Sequence, residues 1–160
     1  MNNQRKSSYN KLIANTIVET IKNGNKIMVC GNGGSAAETQ HFVAEMVGKF
    51  KHYRRALPFI SLTTDTSILT SIGNDFGFKY VFSRQIEALG NEGDILLVLS
   101  TSGTSQNCME AIQVAHKMGI HVIELKRTGT TTSEIQENQL QMIHQICEEV
   151  EKAFITPDFI

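Results

Sequence analysis

Cys30-Gly31-Asn32-Gly33-Gly34-Ser35 is a glycine-rich turn that follows an apolar run over residues 26–30. Seventy residues later, Ser100-Thr101-Ser102-Gly103-Thr104-Ser105 repeats the arrangement after an apolar run over residues 94–99. Each run predicts a strand, and each loop precedes residues patterned as a helix. Glycine lets a backbone turn sharply and approach a ligand closely. Serine and threonine hydroxyls add neutral donors, and the N-terminus of the following helix favours an anion. Two such loops at the ends of parallel strands make a phosphate cradle without a Walker-type lysine. Taken singly, each loop also reads as an ordinary βα turn.

The rest of the chain continues the alternation. Leu12, Ile13, Ile17 and Ile21 recur at helical spacing over residues 11–22, and Asn23-Gly24-Asn25 stops that helix. Ser35 is placed to cap a helix running to about Gly48. Residues 58–62 predict a second strand that ends in hydroxyl-rich Thr63-Thr64-Asp65-Thr66-Ser67. A short helix carrying Ile68, Leu69 and Ile72 is followed by a predicted turn, Gly73-Asn74-Asp75-Phe76-Gly77, and helix returns over residues 81–89. Beyond the second loop come a helix over 105–118, a fourth strand over 121–125 and a last helix over 133–154. Strands alternating with helices predict an α/β fold. It is a three-layer sandwich whose central parallel sheet is covered by helices on both faces, doubly wound and flavodoxin-like. Ligands of such sheets bind at the carboxyl ends of the strands, where both loops sit.

The 160 residues predict one domain with a substantial core. A hydrophobic share of 41%, a charged share of 19% and a formal net charge of −1 give no global pull toward nucleic acid or a membrane surface. The one basic run, Lys49-Phe50-Lys51-His52-Tyr53-Arg54-Arg55, reads as solvated surface first and as an anionic-substrate site second. Cys30, Cys108 and Cys147 are odd in number and include no CxxC pair, which fits a reducing compartment rather than a disulfide framework. No apolar run reaches membrane-spanning length and the polar start is not a signal peptide, so a cytoplasmic location is expected.

The chemistry-bearing residues lie on two helices. His41 and Glu45 are spaced i, i+4 after the first loop and share a helix face. Gln136 and His144 lie on the last helix, about two turns and some 80° apart. Two imidazoles, a carboxylate and an amide suit a mixed nitrogen–oxygen metal site, with zinc the fitting ion. Glu45 and His144 fit equally as a general base and acid. Plainer readings stand beside these. The His41–Glu45 pair reads as a surface ion pair. Ser133-Glu134-Ile135-Gln136 reads as a capping box that would absorb Gln136. His144 reads as a half-buried structural histidine. His52, His116 and His121 lack partners at useful spacing, and Cys30 reads as a packing residue. Gly31 to Ala36 also satisfies the loose G-x-G-x-x-A dinucleotide pattern. The acidic residue expected about twenty positions on is absent, and Arg54 and Arg55 leave only an NADP-type variant open.

Three longer stretches carry a family resemblance: CGNGGSAAETQHFVAE from Cys30, LTTDTSILTSIGNDFGFKYVFSRQIEALG from Leu62 and LSTSGTSQN from Leu99. Together they resemble the sedoheptulose 7-phosphate (phosphoheptose) isomerases of the sugar-isomerase, or SIS, fold. The resemblance spans residues 11–125 and 130–151. It implies conversion of the ketose sedoheptulose 7-phosphate to D-glycero-D-manno-heptose 7-phosphate, which supplies heptose to lipopolysaccharide or capsule. It implies a homotetramer with active sites at subunit interfaces and one Zn2+ per subunit. By motif, Asn32, Gly33, Gly34, Ser35, Asn74 and Asp75 would contact substrate. Ser100, Thr101, Ser102 and Ser105 would hold its phosphate. His41, Glu45, Gln136 and His144 would be the metal positions, with Glu45 and Gln136 also touching substrate and Glu45 and His144 the acid–base pair. With zinc on both Glu45 and His144, neither is a free base, so the resemblance leaves two pictures of the reaction.

Two departures stand out. Lys49 stands where the family often has arginine, which keeps the charge and loses the planar fork. The connection from residue 125 to residue 133 is short, where family members usually carry a further helix and strand, so an exposed sheet edge is expected there. A non-catalytic SIS scaffold that binds a replication initiator is the rival reading, and an amino-sugar SIS protein is a third. A scaffold needs no matched His41, Glu45, Gln136 and His144, and the GNDFG and IQE elements speak against the third.

Overall fold

The computed structural model describes residues 3–155. Strands β1 (Ile27–Gly31), β2 (Phe59–Ser61), β3 (Ile95–Leu99) and β4 (His121–Glu124) form one parallel sheet in the order β2-β1-β3-β4. Helices α1 (Asn3–Lys22), α2 (Gly34–Val47), α3 (Thr66–Asp75), α4 (Ser83–Leu89), α5 (Gln106–Lys117) and α6 (Thr132–Lys152) connect and cover it. This is the doubly wound, flavodoxin-like order, whose switch point lies between β1 and β3. The register pairs Ile27 with Ile95 and Gly31 with Leu99, so both glycine loops leave the same end of adjacent central strands.

β1 and β3 are buried at every position, as strands covered on both faces must be. Alternate side chains feed two cores. Ile27, Val29, Ile95, Leu97 and Leu99 pack against Ile13 and Ile17 of α1, Phe42 and Met46 of α2 and Ile143, Ile146 and Val150 of α6. Met28, Cys30, Leu96 and Val98 face Ile72, Ile86, Ala111 and Ala115 of α3, α4 and α5. Each such aliphatic side chain contributes about 1.5–3 kcal/mol on full burial. At the amino ends of the strands, Asp94 is 1% exposed and accepts the backbone N–H groups of Lys26 (3.0 Å) and Asn91 (2.8 Å) and the Lys26 ammonium. β4 is an edge strand, the exposed edge that the short connection predicts.

Several local expectations are corrected. α2 begins at Gly34 with Gly33 as its N-cap at φ +55°, so Ser35 lies inside the first turn, buried, and caps nothing. Asp65 caps α3, its side chain accepting the Ile68 N–H at 2.9 Å, and α3 continues to Asp75. Gly73, Asn74 and Asp75 are therefore helical, not a turn; only Phe76 and Gly77 break the helix. A 3-10 turn, Phe78–Tyr80, precedes α4. The basic run is not all solvated surface. Arg54 is buried, donates to the carbonyls of Gly48 (2.9 Å), Arg55 (3.0 Å) and Glu45 (2.7 Å), and stands 3.6 Å from the buried Glu151 of α6. Glu151 also accepts the backbone N–H groups of Phe50, Lys51 and His52 at 2.8–3.0 Å. The segment after α2 is thus pinned onto the end of α6.

Candidate active site

α2 leaves the first glycine loop and carries His41 and Glu45 on one face, with His41 Nε2 3.7 Å from Glu45 Oε1. α6 runs beside it and brings His144 to the same place. The Nε2 atoms of His41 and His144 lie 2.9 Å apart, with the rings edge to face at 76°. The contact joins two helices about a hundred residues apart in sequence, with donor and acceptor set by the tautomers of the two rings. Phe50 stacks on His144 with ring centroids 5.5 Å apart and an 18° interplanar angle, which sets the plane of the imidazole. Phe50 is itself placed by the Glu151 contacts.

Gln136 arrives from two turns upstream on α6. Its amide lies against Gly34 so closely that a Cβ there would overlap it. The cap of α6 is Thr131, whose hydroxyl accepts the Glu134 N–H at 3.3 Å while the Glu134 carboxylate accepts the Thr131 N–H at 3.2 Å. The capping box therefore sits two residues earlier than the sequence suggested and leaves the Gln136 side chain to the site.

The two loops are stitched together. Asn32 and Asn107 exchange amide hydrogen bonds of 2.8 Å in both directions, joining the first loop to the opening turn of α5. In the second loop, the Ser100 hydroxyl accepts the Gly103 N–H (2.9 Å), the Ser102 hydroxyl accepts the Thr104 N–H (3.2 Å), and Ser102 and Ser105 hydroxyls stand 3.5 Å apart. Ser100 is buried, Thr101 and Ser105 are half-buried, and Ser102 is exposed. Ser105 caps α5 without a side-chain hydrogen bond to it. Asn74 and Asp75 are bonded to each other at 2.6 Å at the end of α3. Among the described residues no hydrogen bond or ion pair joins them to the His41–His144 cluster. His52, His116 and His121 stand exposed outside it, and Cys30, Cys108 and Cys147 are buried free thiols.

Two imidazoles, a carboxylate and an amide are a donor set that zinc accepts. Among the described residues no group of three or more His, Cys, Asp or Glu side chains is gathered closely enough to hold an ion as it stands. His41 and His144 are instead bonded to one another.

The SIS domain family model matches residues 3–126. The phosphoheptose isomerase of Campylobacter concisus is 49% identical, over 90% of this chain and 85% of that protein. The solved structure of phosphoheptose isomerase GmhA from Neisseria gonorrhoeae superposes with a TM-score of 0.83 at 39% identity, covering 93% of this chain and 91% of that one. A phosphoheptose isomerase structure from Francisella tularensis gives 0.84 at 36% identity, over 88% and 83%. The chain belongs to the phosphoheptose isomerase family of SIS-domain proteins.

Within this phosphoheptose isomerase fold, two residues escaped the sequence reading. Glu38 lies one turn before His41 on α2, and the spacing 38, 41, 45 puts all three on one face. One Glu38 carboxylate oxygen is buried with no hydrogen-bond partner, and burial pushes its pKa up to about 7. That periodicity was the available signal. Arg54 is the second, and its burial had no signal in a run of exposed-type residues. The comparisons give the initiator-binding scaffold no support.

Proposed function

We propose that this chain interconverts sedoheptulose 7-phosphate and D-glycero-D-manno-heptose 7-phosphate through an enediol(ate). The observation that carries the reading is the meeting of His41 and Glu45 with His144, beside the loop that Gln136 closes. The hydroxyls of Ser100, Thr101, Ser102 and Ser105 and the N-terminus of α5 hold the phosphate end of the sugar. Asn32, Gly33, Gly34, Ser35, Asn74 and Asp75 contact its polyol. Glu45 takes a proton from one of the two carbons C1 and C2 and returns it to the other. His144, its plane set by Phe50 and its Nε2 in contact with His41, moves protons at the carbonyl and hydroxyl oxygens.

One Zn2+ per subunit would be held by His41, Glu45, Gln136 and His144, and Glu45 and His144 would each carry a proton only when off the ion. When bound it would supply Lewis-acid polarisation of the sugar's carbonyl. The same reading has the chain act as a homotetramer with interfacial sites. The exposed Leu12 (64%), Phe76 (51%) and Phe78 (65%) support burial against further copies. It places the enzyme in the cytoplasm, supplying heptose for lipopolysaccharide or capsule. No helix among the described residues is long and apolar enough to cross a membrane.

The deciding experiment is turnover of sedoheptulose 7-phosphate by purified protein, metal-stripped and then with zinc restored. Activity that returns with zinc is the expected result. Absence of turnover in both states, with the assembled oligomer intact, overturns the isomerase reading.

A further inference from the structure

The loop Ser100-Thr101-Ser102-Gly103-Thr104-Ser105 contains no cation. Its hydroxyls and the end of α5 supply partial charges only, whereas a phosphomonoester near neutral pH carries close to two full negative charges. A full positive charge nevertheless stands at the loop. Gly103 has φ +71°, and an added Cβ would meet the guanidinium of Arg127, with Nη1 at 2.5 Å, Cζ at 2.6 Å and Nη2 at 2.9 Å. The guanidinium therefore lies directly against the Gly103 backbone.

Arg127 reaches this place because its own segment is short and held at both ends. Leu125 is 1% exposed and its N–H donates to Val98 at 3.1 Å, extending the sheet ladder past β4. Three residues beyond Arg127, the Glu134 carboxylate takes the Thr130 N–H and hydroxyl, both at 2.7 Å. The partner of Arg127 in the free chain is Glu124, 3.4 Å away, with both side chains more than 40% exposed. Such a pair contributes little, so the guanidinium is available to a stronger anion. Ser100 and Ser102 each accept a backbone N–H, which leaves the Ser100 hydroxyl proton, and one proton of the Ser102–Ser105 hydroxyl pair, to donate to the same ligand.

We infer that Arg127 is a phosphate-binding residue of this chain, supplying from the β4–α6 connection the formal positive charge that the Ser100–Ser105 loop lacks. The inference rests on the reading of that loop as the phosphate site. The ligand it selects is a phosphomonoester dianion, which the planar guanidinium fork grips in a way that a lysine cannot.

The test uses inorganic phosphate as the probe, titrated calorimetrically into the full chain and into Arg127→Gln and Arg127→Lys, with melting temperature and sugar-phosphate turnover measured alongside. Arg127→Gln is expected to weaken phosphate binding about tenfold. Because the phosphate is held alike in ground and transition states, the loss falls on KM rather than kcat. Arg127→Lys restores part of the affinity. Phosphate affinity of folded Arg127→Gln within about twofold of the parent, whatever its melting temperature, reduces Arg127 to a brace of the connection and overturns the proposal. If Arg127→Gln does not fold, Arg127→Lys decides: full parental affinity in that variant refutes the need for the guanidinium fork. Phosphate binding that depends on Arg127 in a chain with no turnover keeps this inference and removes the isomerase reading alone.

Discussion

Gln136, near the start of α6, lies on Gly34, the first residue of α2, with no space left for a Cβ between them. α2 and α6 thus touch at the first glycine loop, and the contact brings the Gln136 amide to the site. Gly34 is not at positive φ, so an alanine there meets a steric problem and not a backbone one. The group it strikes is the end of a flexible side chain, which can swing away. Gly34→Ala is therefore expected to keep its melting temperature within a few degrees of the parent. Turnover of sedoheptulose 7-phosphate should fall about a hundredfold as Gln136 is displaced. Parental turnover in Gly34→Ala would show that the amide position is irrelevant to the chemistry.

Glu45→Gln keeps the shape of the side chain and removes its proton acceptor. Loss of about 10²–10⁴ in kcat is expected, with phosphate affinity unchanged. Steady-state kinetics beside a phosphate titration separate the two. Near-parental kcat would take Glu45 out of the proton-transfer role.

His41→Ala and His144→Ala each break the Nε2–Nε2 contact, but only His144 is assigned the proton shuttle. Both should weaken zinc retention, but excess zinc should restore turnover to His41→Ala and not to His144→Ala. Turnover and zinc content after dialysis check this. A fully active His144→Ala would transfer the shuttle elsewhere.

Glu38 offers a pH prediction. Burial raises its pKa from the ordinary 4.5 to about 7. Between those values the folded chain binds more protons than the unfolded one, so this group lowers stability as pH rises through that window. Glu38→Gln should remove the dependence: the difference in urea midpoint between variant and parent should grow in the variant's favour from about pH 4.5 to about pH 7. A flat difference would mean that Glu38 titrates normally.

Arg54 and Glu151 face each other 3.6 Å apart with no exposed side-chain surface. Removing either leaves a buried charge without its partner, and removing Glu151 also frees the backbone amides of residues 50–52. Glu151→Ala is expected to cost about 3–5 kcal/mol of stability by denaturant titration and to disturb the Phe50–His144 stack. A loss below about 1 kcal/mol would mark the pair as a weak, surface-like one.

Periodicity and turn chemistry were enough to read the α/β class, the four strands and the position of both glycine loops. Apolar runs flanked by glycine and hydroxyl residues state those features locally. The i, i+4 relation of His41 and Glu45 was equally legible, because both lie within one turn of one helix. What periodicity and spacing could not supply was the geometry with which residues far apart along the chain meet. The 2.9 Å contact of His41 with His144 depends on how α2 and α6 pack on β1 and β3. The capping box of α6 was misplaced by two residues because Thr131 and Ser133 are both good caps, and only the helix start decides between them. Arg54 looked like a surface residue until a buried carboxylate from α6 was set against it. Arg127 carried no signal within the short 125–133 connection, and only the tertiary structure puts its guanidinium on Gly103. Local sequence determined which elements form and which residue types they carry. The tertiary structure decided which of those residues meet, because burial and charge pairing depend on neighbours that are distant along the chain.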